Sequence, residues 1–302
     1  MALAKRALSV KFDLASKAFP SGSKTLTLKN HRVQAQIATE MYGPLAVYTM
    51  VLRIFGMRME DMDTLSTWNT ENVMIGENEV TLSAASIESN PRATGGNDFA
   101  HMVFMGVIYS AIVEISDAAE ASFVVTAQGG LYDRLAPIAP NSYPGTQDVA
   151  SIIKGLAQQA GYAFRDHGVT AKINGQYLNG PALEQIQTIA GATQTLVFVD
   201  NGGVIHIWPN GQTPDFPELE LSAESGLVGY PKFTEFGVAV KAEFDPAYLF
   251  AQTVKLTSII PRASGVWQIG GLTHDVATET ADGPWFTNLN LMLVGFNVLK
   301  KF

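Results

Sequence analysis

Apolar residues fall at every second position through much of the chain, and that alternation is the first structural signal. In TLTLKNHRVQAQIA (25–38), Leu26 and Leu28, then Val33, Ala35 and Ile37, predict half-buried strands around a turn at Lys29 and Asn30. Past Gly43 and Pro44, LAVYTMVLRIFG carries large apolar residues on both parities, as expected of a strand buried on both faces. Met59, Met62 and Leu65 stand at i, i+3 and i+6, the spacing of one short amphipathic helix. VTLSAASI (80–87) returns to strand pattern, and PRATGGNDFA (91–100) has no period and two adjacent glycines, the mark of an exposed loop. GVIYSAIVEI, the acidic SDAAEAS and FVVTAQGG together predict a long hairpin.

The period then changes. APIAPNSYPG (136–145) has three prolines and a glycine and is read as a domain boundary. In TQDVASIIKGLAQQAGYAF, Val149, Ile152, Ile153, Leu156, Ala157 and Ala160 follow the helical repeat, with Thr146 as N-cap, Asp148 complementing the helix dipole and Gly161 as the stop. A second helix is predicted from Pro181 through LEQIQTIA to Gly191. TLVFVDNGGVIHIWP predicts two strands joined at Asp200-Asn201-Gly202-Gly203. After PNGQTPDFPE the strand pattern resumes to the end, in FGVAVKAEFDP, VKLTSIIP, VWQIGGLTHDVATET and WFTNLNLMLVGFNVL.

The order of these late segments resembles that of the first region. VTLSAASI corresponds to VKLTSIIP, and the first hairpin with its acidic loop corresponds to QIGGLTHDVA, ETADG and WFTNLNL. The expected fold class is therefore mainly β (α+β). Its domains are a first β domain over 1–135, a small α/β domain over 136–212 and a second, similar β domain over 213–302.

Composition narrows the function. With 47% hydrophobic and 16% charged residues the chain is too apolar for disorder, and 302 residues suffice for more than one domain. A net charge of −8 disfavours a nucleic-acid-binding outer surface, which needs clustered Lys and Arg. No cysteine is present, so disulfides, Cys-ligated metals and thiol nucleophiles are excluded. The basic start at Lys5 and Arg6 is cut short by Asp13, unlike a signal peptide, and the run FMGVIYSAIV is too short to span a membrane.

Motifs with chemistry are sparse. The five histidines, His31, His101, His167, His206 and His274, lack metal-ligand spacing and read as surface or strand residues. Asp98 with His101, Asp166 with His167, and His274 with Asp275 are carboxylate–imidazole neighbours, but adjacent strand residues point to opposite faces. There is no G-x-S-x-G elbow. Gly22-Ser23-Lys24-Thr25 lacks the earlier glycine and following helix of a phosphate loop, and Glu60, Asp61 and Asp63 read as a solvated helix face rather than a cation site. Trp68, Trp208, Trp267 and Trp285 are assigned to cores or interfaces rather than a sugar groove. No catalytic, cofactor-binding or metal residue is singled out, no cofactor is expected, and interface residues are left unassigned.

One run does carry a family likeness. S-x-x-S-G-L-V-G at 222–229 is followed by a strand ending near Phe244-Asp245-Pro246, then a V-K-L strand. After it come S-G-x-W-x-I-x-x-L-x-H-D at 264–275 and an aromatic strand from Trp285. This run is similar to the final domain of the baseplate hub proteins of phage tails and the related tail protein D family. PALEQIQTIAGAT with LVFVDNGGVIHIWP resembles the family's middle domain, so the likeness covers roughly 145–302. It implies a non-enzymatic structural virion protein of the tail baseplate, assembled in the host cytoplasm, with two tail-tube-like β-barrel domains flanking the middle one. It further implies a homotrimer that adapts a sixfold tail tube, or distal tube protein, to a threefold central spike. Tape-measure and wedge proteins are further implied partners, and DNA passes through the lumen without specific binding. The alternatives are the hub of a contractile secretion or killing particle, and a cell-wall-degrading tail enzyme.

Overall fold

A computed structural model describes residues 6–67, 78–86, 101–115 and 121–295. The chain folds as two compact units: residues 1–37, 49–129 and 274–285 form the first, and residues 38–48, 130–273 and 286–302 the second. The expected loop at 91–100 and most of the acidic loop after it lie outside the described residues.

The elements, in chain order, are β1 (Arg6–Asp13), β2 (Thr25–Lys29), β3 (Val33–Tyr42), β4 (Leu45–Phe55), α1 (Met59–Leu65), β5 (Glu79–Ser86), β6 (His101–Glu114) and β7 (Ser122–Gln128). Then follow β8 (Asn141–Asp148), α2 (Val149–Gln159), β9 (Ala163–Asp166), β10 (Lys172–Leu178), α3 (Ala182–Thr193), β11 (Thr195–Val199) and β12 (Val204–Pro209). The last are β13 (Leu219–Leu221), β14 (Leu227–Phe233), β15 (Gly237–Glu243), β16 (Thr253–Leu256), β17 (Gly265–Thr278) and β18 (Trp285–Leu293). Strands β3, β4, β17 and β18 each contribute residues to both units.

In the first unit the antiparallel order runs β4-β7-β6-β5-β1-β2, so β2 is an edge strand. The predicted hairpin is β6 with β7, in register from Val107↔Gln128 to Glu114↔Ser122 with one bulge. The strands foreseen around Asn30 are present, but β2 pairs with β1, ahead of it in the chain, and Asn30 turns at φ 58°. Phe12, Leu52, Ile54, Leu82, Phe104 and Phe123 are buried and fill this unit's core. In α1, Met62 and Leu65 are buried as the spacing required, while Met59 stays exposed.

In the second unit, α2 and α3 pack on the sheet that holds β11 and β12. Leu156, Ile186, Ile189, Val197 and Ile207 share one apolar core with Leu45 and Val47 of β4. β11 pairs antiparallel with β12 and parallel with β4, and β12 pairs parallel with β9. The start of α2 departs from the sequence reading. Asp148, not Thr146, is the N-cap residue, because β8 continues through Thr146 to Asp148 in a ladder with β10. β8 also takes in Pro144 and Gly145 of the segment read as a domain boundary, at the point where its register with β10 shifts. The remaining strands run β14-β15-β18-β17, with β16 pairing β17 and β13 pairing β16. Among the described residues neither strand path returns on itself to close a barrel.

The β11–β12 hairpin turns where Asp-Asn-Gly-Gly predicted. Asp200 Oδ1 accepts the backbone N–H groups of Gly202 and Val204, each at 2.8 Å, and Gly203 takes φ +71°. A β-carbon costs about 1–2 kcal/mol in that left-handed region. Gly203→Ala is therefore expected to lower the unfolding free energy by that amount without changing the far-UV spectrum. A variant as stable as the parent would show that the turn relaxes freely.

Candidate functional site

Among the described residues none of the carboxylate–imidazole pairs between chain neighbours forms, although His167 and His206 meet each other. His31 Nδ1 lies 3.0 Å from the Lys29 carbonyl, and His274 is buried in β17, where loss of solvation pushes its pKa down to about 3. Asp98 lies outside the described residues, as does Trp68. His167 does not meet its neighbour Asp166, whose carboxylate accepts the Gly168 and Val169 amides; it reaches Asp215 and His206 instead. Asp61 is buried and held by Arg58 at 2.8 and 3.2 Å, so it does not face solvent as expected. Thr25 donates to Asp13 at 2.7 Å, Lys24 donates to the Ala15 carbonyl at 2.9 Å, and a strand follows them. Trp208 is fully buried, Trp267 donates to the Ala263 carbonyl at 2.9 Å, and the Arg6 guanidinium lies 5.8 Å from the Trp285 ring.

What the structure presents instead is surface for assembly. In the second unit β14 is an edge strand, bonded among the described residues only to β15. Its register slips between Val228 and Lys232, where Gly229 takes φ +71° and Pro231 has no N–H to donate. Two aromatic side chains project from this edge, Tyr230 at 67% and Phe233 at 57% exposure. Beside them a groove of about 450 Å³ is lined by Glu220, Leu227, Tyr230, Lys255 and Ile259 among others. Glu220 is paired with Lys255 at 3.3 Å. In the first unit β2 is the edge, a regular strand with neither proline nor bulge.

Bulges and proline restrict indiscriminate pairing at an edge, whereas large exposed aromatic groups favour specific contact. The edge at β14 thus fits side-chain docking, and the regular edge at β2 fits backbone pairing. Sequence reasoning left both unassigned. The available signal was the G-Y-P-K-F run at 229–233, a strand whose glycine and proline confine it to a sheet edge.

Among solved structures, a tail protein from Neisseria meningitidis MC58 superposes with a TM-score of 0.61 at 9% identity, covering 98% of both chains. A 43 kDa tail protein of prophage MuSo2 from Shewanella oneidensis gives 0.58 at 8% identity, over 94% of this chain and 96% of that one. The E. coli c3393 protein, a type VI secretion component described as structurally similar to T4 tail proteins, gives 0.56 at 12%, over 95% of this chain and 79% of that one. At such identities the likeness speaks for the fold. A search of curated proteins finds no match. The baseplate hub gp41 family matches residues 23–289, nearly the whole chain, and the protein belongs to that family of phage tail hub proteins.

Proposed function

We propose that three copies of this chain form the hub at the tip of a phage tail, joining a sixfold tail tube to a threefold central spike. The observation that carries the reading is the family match over residues 23–289. In this reading each copy supplies two tube-like β domains, 1–135 and 213–302, separated by the α/β domain 136–212, so that three copies present six similar faces to the tube. The hub acts by geometry and performs no catalysis. Its neighbours are the tube or distal tube protein and the spike, with tape-measure and wedge proteins beside it in the virion. DNA passes through its lumen, and the net charge of −8 supports a wall that phosphate does not adhere to.

A ring made from one kind of subunit needs a heterologous joint, two different surfaces meeting head to tail. The aromatic edge at β14 and the regular edge at β2 are two such unlike surfaces on one chain. The reading places the β14 side of one copy against the β2 edge of the next. Light scattering of the purified protein is expected to give the mass of three 32.5 kDa chains. A stable monomer absent from the tail tip in images of the particle would overturn it. The likeness to the E. coli type VI secretion component favours one second reading, the same adapter in a contractile secretion particle.

A further inference from the structure

His167 and His206 form the middle of a four-group array inside the second unit. The Asp215 carboxylate bonds His167 Nδ1, His167 Nε2 lies 3.0 Å from His206 Nδ1, and His206 Nε2 lies 3.1 Å from Asp200 Oδ2. The imidazole planes are 20° apart, with the edge of Phe216 against both rings and Phe198 stacked on His206. Both imidazoles are shielded from solvent, while the Asp215 side chain is 83% exposed. Asp215 and Phe216 belong to the connector 210–218 between β12 and β13. Ring contacts and this array hold its middle, and Gln252 fixes its end by donating to the Pro217 carbonyl at 2.8 Å.

Counting hydrogens shows which charge states the array accepts. With both imidazoles neutral, His206 Nε2–H donates to Asp200 and His167 Nε2–H donates to His206 Nδ1. His167 Nδ1 then accepts the Asp215 backbone N–H, 3.3 Å away. One added proton sits on His167 Nδ1 and donates to the Asp215 carboxylate, leaving the other two links untouched. A second proton has only His206 Nδ1 to occupy. Two N–H bonds would then face each other across the 3.0 Å gap between two touching cations.

We propose that this array is an acid-operated latch, which holds the connector while the two imidazoles carry at most one proton and releases it when a second enters. The groups set around it are Asp200 on the hairpin turn, Asp215 on the connector, Arg165 and Asp166 at the end of β9, and Tyr48 on β4, which feels the charge of Asp200. His167 is held below the ordinary histidine pKa first by burial, with the charges of His206 and Arg165 acting the same way and Asp215 opposing them. An unfolded chain protonates both imidazoles as pH falls through about 6.5. The folded array refuses the second proton, so the stabilisation tied to that proton is complete above that value and is lost as pH falls below it.

Amide exchange of the full chain, followed on a peptide spanning 210–218 and corrected for intrinsic rates, tests the latch. Between pH 7.5 and 5.0 the corrected exchange is expected to rise at least about tenfold, since one excluded proton per pH unit is worth a factor of ten. His206→Leu leaves a single imidazole and should abolish the acid rise. Asp215→Asn, at an exposed position, removes the negative charge that favours the singly protonated state and should move the opening to higher pH. Equal protection at both pH values, an acid rise unchanged in His206→Leu, or an unshifted opening in Asp215→Asn would each overturn the proposal.

Discussion

Phe198→Ala is expected to cost the second unit about 3–5 kcal/mol, the usual loss when a fully buried phenylalanine is truncated. Phe198 lies in β11, where its backbone is in register with His206 of β12 on one side and Ala46 of β4 on the other. Its ring meets Tyr48 edge-on at 5.2 Å, Phe250 at 5.7 Å and His206 at 6.0 Å. One side chain thus packs against β4, β12 and the turn before β16. The cavity left by alanine would adjoin His206 and the phenol of Tyr48, whose ionisation burial already drives up in pKa, so the surrounding apolar contacts cannot collapse without moving polar groups. Urea denaturation followed by near-ultraviolet circular dichroism should show the midpoint fall steeply, with Phe198→Leu losing less than half as much. A drop under about 1 kcal/mol would mean that the site repacks around the missing ring.

The helices and the tight hairpin of the second unit were legible because local rules govern them. Ile152, Ile153 and Leu156 mark one face of α2 by spacing alone, and Asp200 with Gly203 specifies its turn chemically. Strand existence was legible for the same reason, through alternation in β3, β6 and β15. Strand partnership beyond the two hairpins, β6 with β7 and β11 with β12, was not. β1 lies between β2 and β5, and β11 joins β4 in parallel, although about 150 residues of chain separate them. Where local and long-range terms competed, the long-range one won: Thr146 has the right chemistry for a cap, yet the ladder to β10 holds it in β8.

The same limit hid the histidine array. Reading neighbours in the chain paired His167 with Asp166, which the alternation of strand faces then rejected, while the true partners lie 39 and 48 residues away. The family likeness, by contrast, rests on the order of short motifs along the chain. The hub match extends it well beyond the 145–302 stretch, back to residue 23.

In the proposed hub, replacing Tyr230 and Phe233 together by lysine is expected to abolish trimer formation while leaving the monomer folded. Both side chains are more than half exposed, so the change costs the isolated chain within about 0.5 kcal/mol. At a joint between copies the same change removes two aromatic anchors and buries two charges that have no partner. Either loss alone exceeds about 2 kcal/mol at the centre of an interface. Two such losses weaken association by about a thousandfold or more, since each 1.4 kcal/mol is a factor of ten. Light scattering at micromolar concentration should then report one 32.5 kDa chain with an unchanged circular dichroism spectrum. Tyr177→Lys is the matching control, an equally exposed tyrosine on β10 in the separate β8–β10 sheet, and it should leave the assembly intact. A Tyr230 and Phe233 double variant that still sediments as a trimer would move the joint away from β14. A Tyr177 variant that dissociates would place it on the β8–β10 pair instead. Because the predicted joint is heterologous, the double variant should also fail to be rescued by excess parent chain: each ring needs three sound β14 faces, and one defective copy leaves a gap that cannot close.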